Sequence, residues 1–454
     1  MNGVNGPGGS LEEIVGPRHV IRDADRLATA TVDWTGRFRG AADAIVRPSD
    51  TAEVAAVVAW GRRHGVAIHT QGGNTGMVGG AVPSRPGIVL STARLDHLGD
   101  VDNGQLEAGA GATLAAVQRR ADAAGWEYGV DLGARDTASI GGTVATNAGG
   151  TRVIRYGMTR RQVVGVECVT GAGEILRDMR GLAKDNTGYH LPSLLCGSEG
   201  TLAIVTEVRL GLVPRPPETA VALVPVADNH HAVALAGALA GHTAVSAIEY
   251  VRADGLVLVG EHTGTPPPFA GWPAALLVEA RGGAEVVTTL SMVLAECATE
   301  SSMAAAAVAT TSHDRSRLWA WREGHTEALS RLGTVHKLDV SVPARHLAEF
   351  LDQIDVVVQR VRPDAQVWVF GHLADGNIHV NVSGVAPDDD AIDTAVLDAV
   401  SARDGSISAE HGIGRAKRHD LHRNRSPQEL AVFARIKAAF DPDHILNPGV
   451  LLPD

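Results

Sequence analysis

Hydrophobic positions in the first half of the chain form short strand-like runs separated by turns. Residues 44–50 (AIVRPSD) predict a strand that ends in a turn. Residues 51–65 have the spacing of a helix, with Thr51 as the candidate N-cap and Gly65 as the terminator. The strand that follows (VAIHTQ) leads into a glycine-rich turn. This strand–helix–strand order is typical of an α/β unit that binds a nucleotide.

A proline-rich break, PRPPE at 214–218, separates two regions of different pattern. Beyond it, strands such as TAVALVPV and IHVNVSG alternate with alanine-rich helices. This pattern predicts an α+β domain with an antiparallel sheet and helices on one face. The last helix, 427–440, and its tail predict a short separate C-terminal segment. The predicted divisions are 1–40 (an N-terminal extension), 41–213 (two subdomains), 214–426 and 427–454.

Composition narrows the class of protein. The 454 residues contain 40 Lys and Arg and 52 Asp and Glu, a net charge of −12, which disfavours nucleic acid as a partner. Three cysteines without a C-x-x-C pair indicate neither a disulfide framework nor a thiolate zinc site. The first ten residues lack the pattern of a signal peptide and read as a floppy tail. The apolar stretch 232–248 is too short and too weakly apolar to span a bilayer, so we expect a cytoplasmic protein.

Two common phosphate-binding motifs are excluded. Gly109 and Gly111 begin a G-x-G, but Leu114 stands where a dinucleotide fingerprint needs its third glycine. The chain contains no G-K-[ST], so a Walker A loop is absent.

Three glycine-rich segments are the candidates for cofactor binding. Residues 71–83 (QGGNTGMVGGAVP) follow a strand, and closely spaced glycines let backbone N–H groups converge on an anion such as a pyrophosphate. A plain hairpin turn explains this segment equally well. Residues 131–157 are poor in large side chains, as a wall against a flat ring would be. Residues 196–210 form a turn that leads into a strand.

In this order and spacing, the three segments resemble the FAD-binding domain of the vanillyl-alcohol oxidase and p-cresol methylhydroxylase flavoprotein superfamily. The resemblance is to its D-2-hydroxyacid dehydrogenase branch and extends from about Ala44 to Pro453. It implies a two-part FAD-binding domain at 41–213 and an α+β substrate domain at 214–426. The residues that match the family's FAD-binding positions are Gly72, Gly73, Asn74, Thr75, Gly76 and Gly79 in the first segment, Ser139, Gly141, Gly142, Ala145, Asn147, Ala148, Gly149 and Gly150 in the second, and Glu199, Gly200 and Ile204 in the third.

The resemblance also implies how FAD is held. Some superfamily members attach flavin covalently through a histidine, and His64 and His69 lie close to the first segment in sequence. This branch resembles the non-covalent members, so we expect dissociable FAD. Many relatives have Arg or Gly where this chain has Gln71, which predicts a different contact at that position.

Two histidines flank a candidate turn in residues 367–384 (VWVFGHLADGNIHVNVSG). Asp375–Gly376 is a preferred centre of a two-residue hairpin turn, which would place His372 directly opposite His379. Their Cβ atoms would then be roughly 4.5–5.5 Å apart, close enough to share a metal ion. Asn381 would point to the same face. Two half-exposed sheet histidines are the alternative, and a longer turn would change the pairing.

A third candidate ligand lies in SAEHGIG at 408–414, where Glu410 precedes His411. Two imidazoles and a carboxylate suit a divalent transition metal with an open position for substrate. An ordinary surface turn is the alternative. The resemblance implies that His372, His379 and Glu410 are the ligands of a divalent metal of the zinc type, and that His411 is the active-site base.

A set of cations suggests the charge of the substrate. Arg322 and Thr326 are one helical turn apart, and Lys337 lies in a following strand. Arginine is suited to bidentate carboxylate binding. A solvated helix charge and an edge lysine are the alternative. The arrangement resembles that of the 2-hydroxyglutarate members, which implies a diacid substrate bound by these three residues, Asn381 and His411.

The resemblance thus implies FAD- and metal-dependent oxidation of a D-2-hydroxyacid, with D-2-hydroxyglutarate favoured and hydride transfer to flavin N5. No iron–sulfur or haem motif is present, which predicts an external electron acceptor such as an electron-transfer flavoprotein or a quinone. A homodimer is also considered. The alternatives are a D-lactate or glycolate enzyme, as the flavin subunit of a membrane-associated complex, and a metal hydrolase without flavin.

Overall fold

A computed structural model describes residues 9–452. Most of the expected N-terminal tail (1–10) therefore lies outside the described residues. Within 9–452, no helix combines the length and the apolar character needed to cross a bilayer.

The strands are between two and nine residues long. They are β1 (Val20–Ile21), β2 (Ala44–Val46), β3 (Ala67–Gln71), β4 (Gly87–Ser91), β5 (Leu98–Asp102), β6 (Gln105–Gly109), β7 (Trp126–Glu127), β8 (Val163–Thr170), β9 (Ile175–Asp178), β10 (Ala203–Gly211), β11 (Val213–Pro214), β12 (Glu218–Val226), β13 (Val245–Arg252), β14 (Ala274–Gly282), β15 (Ala307–Ala309), β16 (Val335–Ser341), β17 (Gln366–His372) and β18 (Asn377–Ser383).

The two longest helices lie in the second half of the chain. The helices are α1 (Leu11–Val15), α2 (Ala24–Ala30), α3 (Thr51–His64), α4 (Leu114–Ala123), α5 (Ile140–Thr146), α6 (Val153–Tyr156), α7 (Thr159–Gln162), α8 (Leu191–Leu195), α9 (Asn229–Ala240), α10 (Ala253–Thr263), α11 (Val286–Cys297), α12 (Glu300–Ala305), α13 (Ser312–Ser330), α14 (Ala344–Val361), α15 (Asp390–Ser401) and α16 (Pro427–Phe440).

The chain divides into two compact units. The first contains 1–149, 157–215 and 411–454, and the second contains 150–156 and 216–410. The division after Arg215 lies two residues from the expected one at 213/214. The C-terminal part differs from the expectation, because 411–454 belongs to the first unit instead of being shared between the substrate domain and a separate segment. One reason is a buried lysine, Lys437 of α16, whose Nζ donates to the carbonyls of Thr201 (2.7 Å) and Leu446 (2.8 Å).

Two main sheets build the first unit. One has the order β1-β2-β4-β3 with parallel pairing among β2, β4 and β3, and the other is antiparallel with the order β5-β6-β10-β8-β9. Helix α3 connects β2 to β3. Its N-cap is Asp50, whose side chain accepts from Glu53 N, so the predicted cap at Thr51 is wrong by one residue. Its end at Gly65 is confirmed, since that residue adopts the left-handed conformation (φ 63°).

The second unit is built on one antiparallel sheet of seven strands, in the order β15-β12-β14-β13-β17-β18-β16. This confirms the predicted antiparallel sheet. Helices pack against both faces, because neighbouring residues of β13 point to opposite sides and both are buried. Tyr250 Oη donates to Asn229 of α9 (2.6 Å), whereas Val251 packs in a cluster with Leu256 of α10 and Leu329 of α13. The expectation of helices on one face is therefore wrong.

Candidate active site

One face of the seven-stranded sheet carries a row of polar side chains. Residues directly opposite each other in an antiparallel pair share a face. Glu249 of β13 is opposite His372 of β17, and Asp339 of β16 is opposite His379 of β18. The pairing of Phe370 with His379 joins the two halves of this row. The sheet therefore brings polar side chains from four strands onto one face.

The predicted two-residue turn between the histidines is wrong. Leu373–Asp375 forms a 3-10 turn, and His372 pairs with Asn377 instead of His379. The register shift is two residues, so the histidines remain on the same face as diagonal neighbours. Their ring centroids are 5.5 Å apart, with the rings nearly perpendicular.

His372, His379 and Glu410 come together as a candidate metal site. One nitrogen of each imidazole and one carboxylate oxygen lie within 4.8 Å of one another, and His372 Nε2 is 3.5 Å from Glu410 Oε1. Two imidazoles and one carboxylate are donors that a divalent transition metal accepts, with coordination positions to spare. The residues therefore fit the predicted metal.

Backbone contacts hold Glu410 at this site. Its N–H donates to Asp339 Oδ2 (2.8 Å), and its Oε1 accepts from Gly150 N (2.8 Å). Asp339 Oδ1 accepts from Asn377 (2.7 Å) and lies 3.6 Å from His379 Nδ1. Asp339 thus contacts two candidate ligands, the backbone N–H of Glu410 and the ring of His379. Gly150 matches a family FAD-binding position, but its backbone N–H donates to the Glu410 carboxylate.

Glu249 is a further buried carboxylate that sequence reasoning missed. Its Oε1 accepts from His372 Nδ1 (2.6 Å), which directs His372 Nε2 towards Glu410. Burial opposes its ionisation, but His372 and Arg322 lower the pKa of Glu249 below its usual value. A lone acid inside the apolar run VSAIEYV was the available signal, because acids are seldom buried without a partner.

Burial and charged neighbours shift the pKa values of two of the three candidate ligands, His372 and Glu410. Burial opposes the charge on His372, but Glu249 and Glu410 raise its pKa above the usual value. Burial is also the main reason that the pKa of Glu410 is raised. The cluster thus places two carboxylates against one imidazole inside the unit, a combination that a bound dication would neutralise.

The predicted substrate-binding residues are partly brought together. Lys337 is directly opposite Asn381, on the same sheet face as His379, and burial lowers its pKa. Arg322 of α13 is buried, with its Nε on Glu249 Oε2 (2.7 Å) and its guanidinium 4.6 Å from the Phe370 ring. Thr326 is exposed on the same helix, so its predicted role has less support from the geometry.

The three glycine-rich segments, apart from 150–156, converge within the first unit. A Cβ on Gly72 would lie 2.0 Å from Ser139 Oγ, so the first segment packs directly on the start of α5. Gly197 N donates to Val144 O (3.0 Å) and Glu199 N to Ala145 O (2.8 Å), which joins the third segment to the second. Sequence order alone does not require these contacts.

The first glycine-rich segment combines close backbone packing with open space and unpaired polar atoms. A Cβ on Gly73 would lie 1.8 Å from Thr137 O, whereas one on Gly76 would meet no atom within 4 Å. Among residues 9–452, the buried Thr92 Oγ1 and Asn74 Oδ1 have no hydrogen-bond partner. Thr92 Oγ1 is 3.8 Å from the Cβ position of Gly72, so these polar atoms stand beside the glycine loop. A polar cofactor with a diphosphate suits this lining.

Several residues in or near the glycine-rich segments have structural partners. Gln71 Nε2 donates to Ala30 O (2.8 Å) and Ala81 O (3.1 Å), so the departure from the family residue serves the fold. Ile204 is fully buried in the apolar core of the first unit. His69 is buried with Nε2 3.0 Å from Arg85 O, and burial lowers its pKa to about 4. His64 Nδ1 lies 2.8 Å from Trp60 O.

Glu199 anchors the segment that begins with His411. Its two carboxylate oxygens accept from Ile413 N and Gly414 N, each at 2.7 Å. Its own backbone has φ 52°, a conformation rarely adopted by residues other than glycine. Glu199 matches a family FAD-binding position, yet its side chain holds the loop after His411, which belongs to the first unit.

Comparison with known proteins agrees with this architecture. The family described as "FAD binding domain" matches residues 42–178, and "FAD linked oxidases, C-terminal domain" matches residues 215–451. The chain belongs to the FAD-linked oxidases. Among curated members, the bovine protein named "D-2-hydroxyglutarate dehydrogenase, mitochondrial" is 36% identical over 98% of this chain and 83% of its own length. A Xanthomonas citri pv. viticola protein named "D-2-hydroxyglutarate dehydrogenase" is 38% identical over 92% of this chain and 91% of its own length.

A solved structure shares the fold of this FAD-linked oxidase. It is titled "alkyldihydroxyacetonephosphate synthase", with a TM-score of 0.74 over 96% of this chain and 83% of that chain. At 18% identity, it shows the likeness of the fold alone. The predicted superfamily and the α+β fold class are therefore confirmed.

Proposed function

We propose that this FAD-linked oxidase oxidises D-2-hydroxyglutarate to the 2-oxoacid, with FAD and a divalent metal, zinc, as cofactors. The observation that carries the proposal is the sheet face on which His372 and His379 lie beside Lys337 and Asn381. A metal-type ligand set beside the half-buried Lys337 suits a substrate with a 2-hydroxyacid end and a second carboxylate. The names of the curated relatives support the same substrate.

Each group has a defined task in this proposal. Bound FAD supplies a two-electron acceptor for the hydride of the substrate Cα. Bound metal supplies Lewis acidity towards the substrate's hydroxyl oxygen. His411 accepts the hydroxyl proton on a ring nitrogen, as a general base. Arg322, Lys337 and Asn381 hold carboxylate oxygens and so select the D-enantiomer by orientation.

Reoxidation of the enzyme requires an external acceptor. No iron–sulfur or haem motif is present in the sequence, so we propose an electron-transfer flavoprotein or a quinone as the oxidant.

A substrate panel tests the proposal. Purified FAD-loaded enzyme is assayed by dye reduction with D- and L-2-hydroxyglutarate, D-lactate and glycolate. We expect the highest kcat/KM with D-2-hydroxyglutarate and no turnover of its L-enantiomer. Preference for D-lactate or glycolate would show that the proposed substrate is wrong. Protein that stays colourless after FAD reconstitution would contradict the flavin reaction itself.

Substitution of Lys337 tests the second carboxylate. If Lys337 binds the distal carboxylate, Lys337→Ala should lower kcat/KM for D-2-hydroxyglutarate far more than for D-lactate. A lost charge-assisted hydrogen bond costs roughly 1.5–3 kcal/mol, about 10–150-fold. The measurement is the ratio of the two kcat/KM values in mutant and wild type, with Lys184→Ala, an exposed lysine, as the control. An unchanged ratio would remove the argument for a diacid.

We also expect FAD to be dissociable. His69 is buried and its Nε2 is hydrogen-bonded to Arg85 O, so the fold already holds this ring in place. Acid precipitation should therefore release all of the flavin absorbance into the supernatant. Flavin fluorescence that remains on the denatured chain in an electrophoresis gel would contradict this expectation.

A further inference from the structure

Glu249 joins two groups that the proposed reaction uses separately. It lies in the middle of β13 and is fully buried. Its Oε1 accepts from His372 Nδ1 (2.6 Å), and its Oε2 accepts from Arg322 Nε (2.7 Å). One carboxylate therefore contacts both a candidate metal ligand and a candidate substrate clamp.

The hydrogen bond to His372 determines which imidazole nitrogen is available. With a proton fixed on Nδ1, the lone pair is on Nε2, the atom 3.5 Å from Glu410 Oε1. Carboxylate partners of this kind orient a ligating imidazole and increase its basicity. Loss of the carboxylate would free the ring to rotate or to change tautomer.

The hydrogen bond to Arg322 determines where the guanidinium points. Glu249 holds Nε, and the Phe370 ring lies 4.6 Å from the guanidinium carbon. Among residues 9–452, Arg322 donates a side-chain hydrogen bond through Nε alone, so its two Nη groups remain for a ligand. That pair of nitrogens is the fork suited to a carboxylate. Phe370 also faces His379, with ring centroids 5.1 Å apart.

We propose that Glu249 is a positioning residue that couples the metal ligand His372 to the substrate clamp Arg322. The inference rests on the proposed function, because it assigns His372 to a metal and Arg322 to a substrate carboxylate. Its physical basis is that two donors share one carboxylate. A change at one donor alters the position and charge available to the other.

Metal affinity gives a test that does not depend on turnover. Zn²⁺ is titrated into FAD-loaded, metal-free protein in competition with a chromophoric chelator. Glu249→Gln should weaken Zn²⁺ binding about 10–100-fold, the usual effect of losing such a partner. The control is Glu167→Gln, which removes a buried carboxylate paired with Arg177 in the first unit and should leave Zn²⁺ affinity unchanged.

Substitution of Arg322 gives a second test, which can still be carried out if Glu249→Gln does not fold. Arg322→Met should tighten Zn²⁺ binding several-fold, because the guanidinium no longer competes for the carboxylate. In a Glu249→Gln background, the same substitution should have no further effect. Equal effects in both backgrounds would show independent action and overturn the coupling, as would unchanged affinity in Arg322→Met or in folded Glu249→Gln.

Kinetics separates positioning from a general loss of stability. Glu249→Gln should raise KM as well as lower kcat for whichever 2-hydroxyacid the wild type oxidises, since both clamp and metal ligand are disturbed. A change in kcat alone would count against the coupling to Arg322. The wild-type substrate panel decides the proposed function, whereas the ratio of mutant to wild-type Zn²⁺ affinity decides this inference, so the two can fail separately.

Discussion

His411→Ala should reduce the rate of flavin reduction by about 10²–10⁴-fold, the usual contribution of a general base. The alcohol's hydroxyl proton must leave as the Cα hydride is lost, and alanine offers no acceptor for it. The candidate metal ligands His372, His379 and Glu410 remain, so metal and FAD contents should stay near those of the wild type. Single-turnover mixing of FAD-loaded enzyme with D-2-hydroxyglutarate measures this rate directly.

A matched control distinguishes the loss of the base from the loss of any other histidine. His419 is an exposed histidine of the same unit, and His419→Ala should reduce flavin at the wild-type rate. A loss below tenfold in His411→Ala would assign proton removal to another group. Collapse of FAD content would instead indicate that the variant disturbs the loop held by Glu199.

Removing the metal should have an effect of similar size. Lewis-acid stabilisation is worth several kcal/mol, so we expect about a 10²–10³-fold loss at about 1.4 kcal/mol per decade. Chelator treatment of the wild type and His379→Ala should both give this loss while FAD stays bound, because the glycine-rich segments other than 150–156 lie in the first unit and the candidate ligands in the second. Elemental analysis and flavin absorbance are measured on the same samples.

Reconstitution distinguishes loss of metal from damage to the protein. Added Zn²⁺, Co²⁺ or Mn²⁺ should restore the chelated wild type but not His379→Ala. His313→Ala removes an exposed histidine of the same unit and should keep full metal content and activity. Full turnover by metal-free wild type would show that these ligands serve another purpose.

Local sequence was sufficient for elements whose signals are contained in a few residues. Helix α3 ends at Gly65 because that residue adopts a left-handed conformation at little cost, and the pattern places this end correctly. The spacing also kept His372 and His379 on one face. Strand side chains alternate with period two, so a turn longer by two residues leaves the face unchanged. The three glycine-rich segments likewise identified FAD binding through a family resemblance.

Tertiary structure alone decided which distant groups meet. Glu249 is far from His372 in sequence, and only the pairing of β13 with β17 makes them neighbours. The same holds for Asp339 and Glu410, whose contact depends on how the chain returns to β16. The turn length was also undecided, since Asp-Gly suits several turns and the register is set by the packing of both strands.

The unit to which the C-terminal segment belongs was likewise decided by the tertiary structure. Its helical pattern predicted α16, but not the unit to which 411–454 belongs. That choice follows from buried partners such as Lys437 with Thr201 and Glu199 with Gly414, because a buried charge must find its hydrogen bonds wherever the fold supplies them. The sequence by itself thus determined the flavoprotein class, the main elements and the candidate ligands. The fold decided their register, their carboxylate partners and the unit that holds each one, since these depend on contacts between residues far apart in the chain.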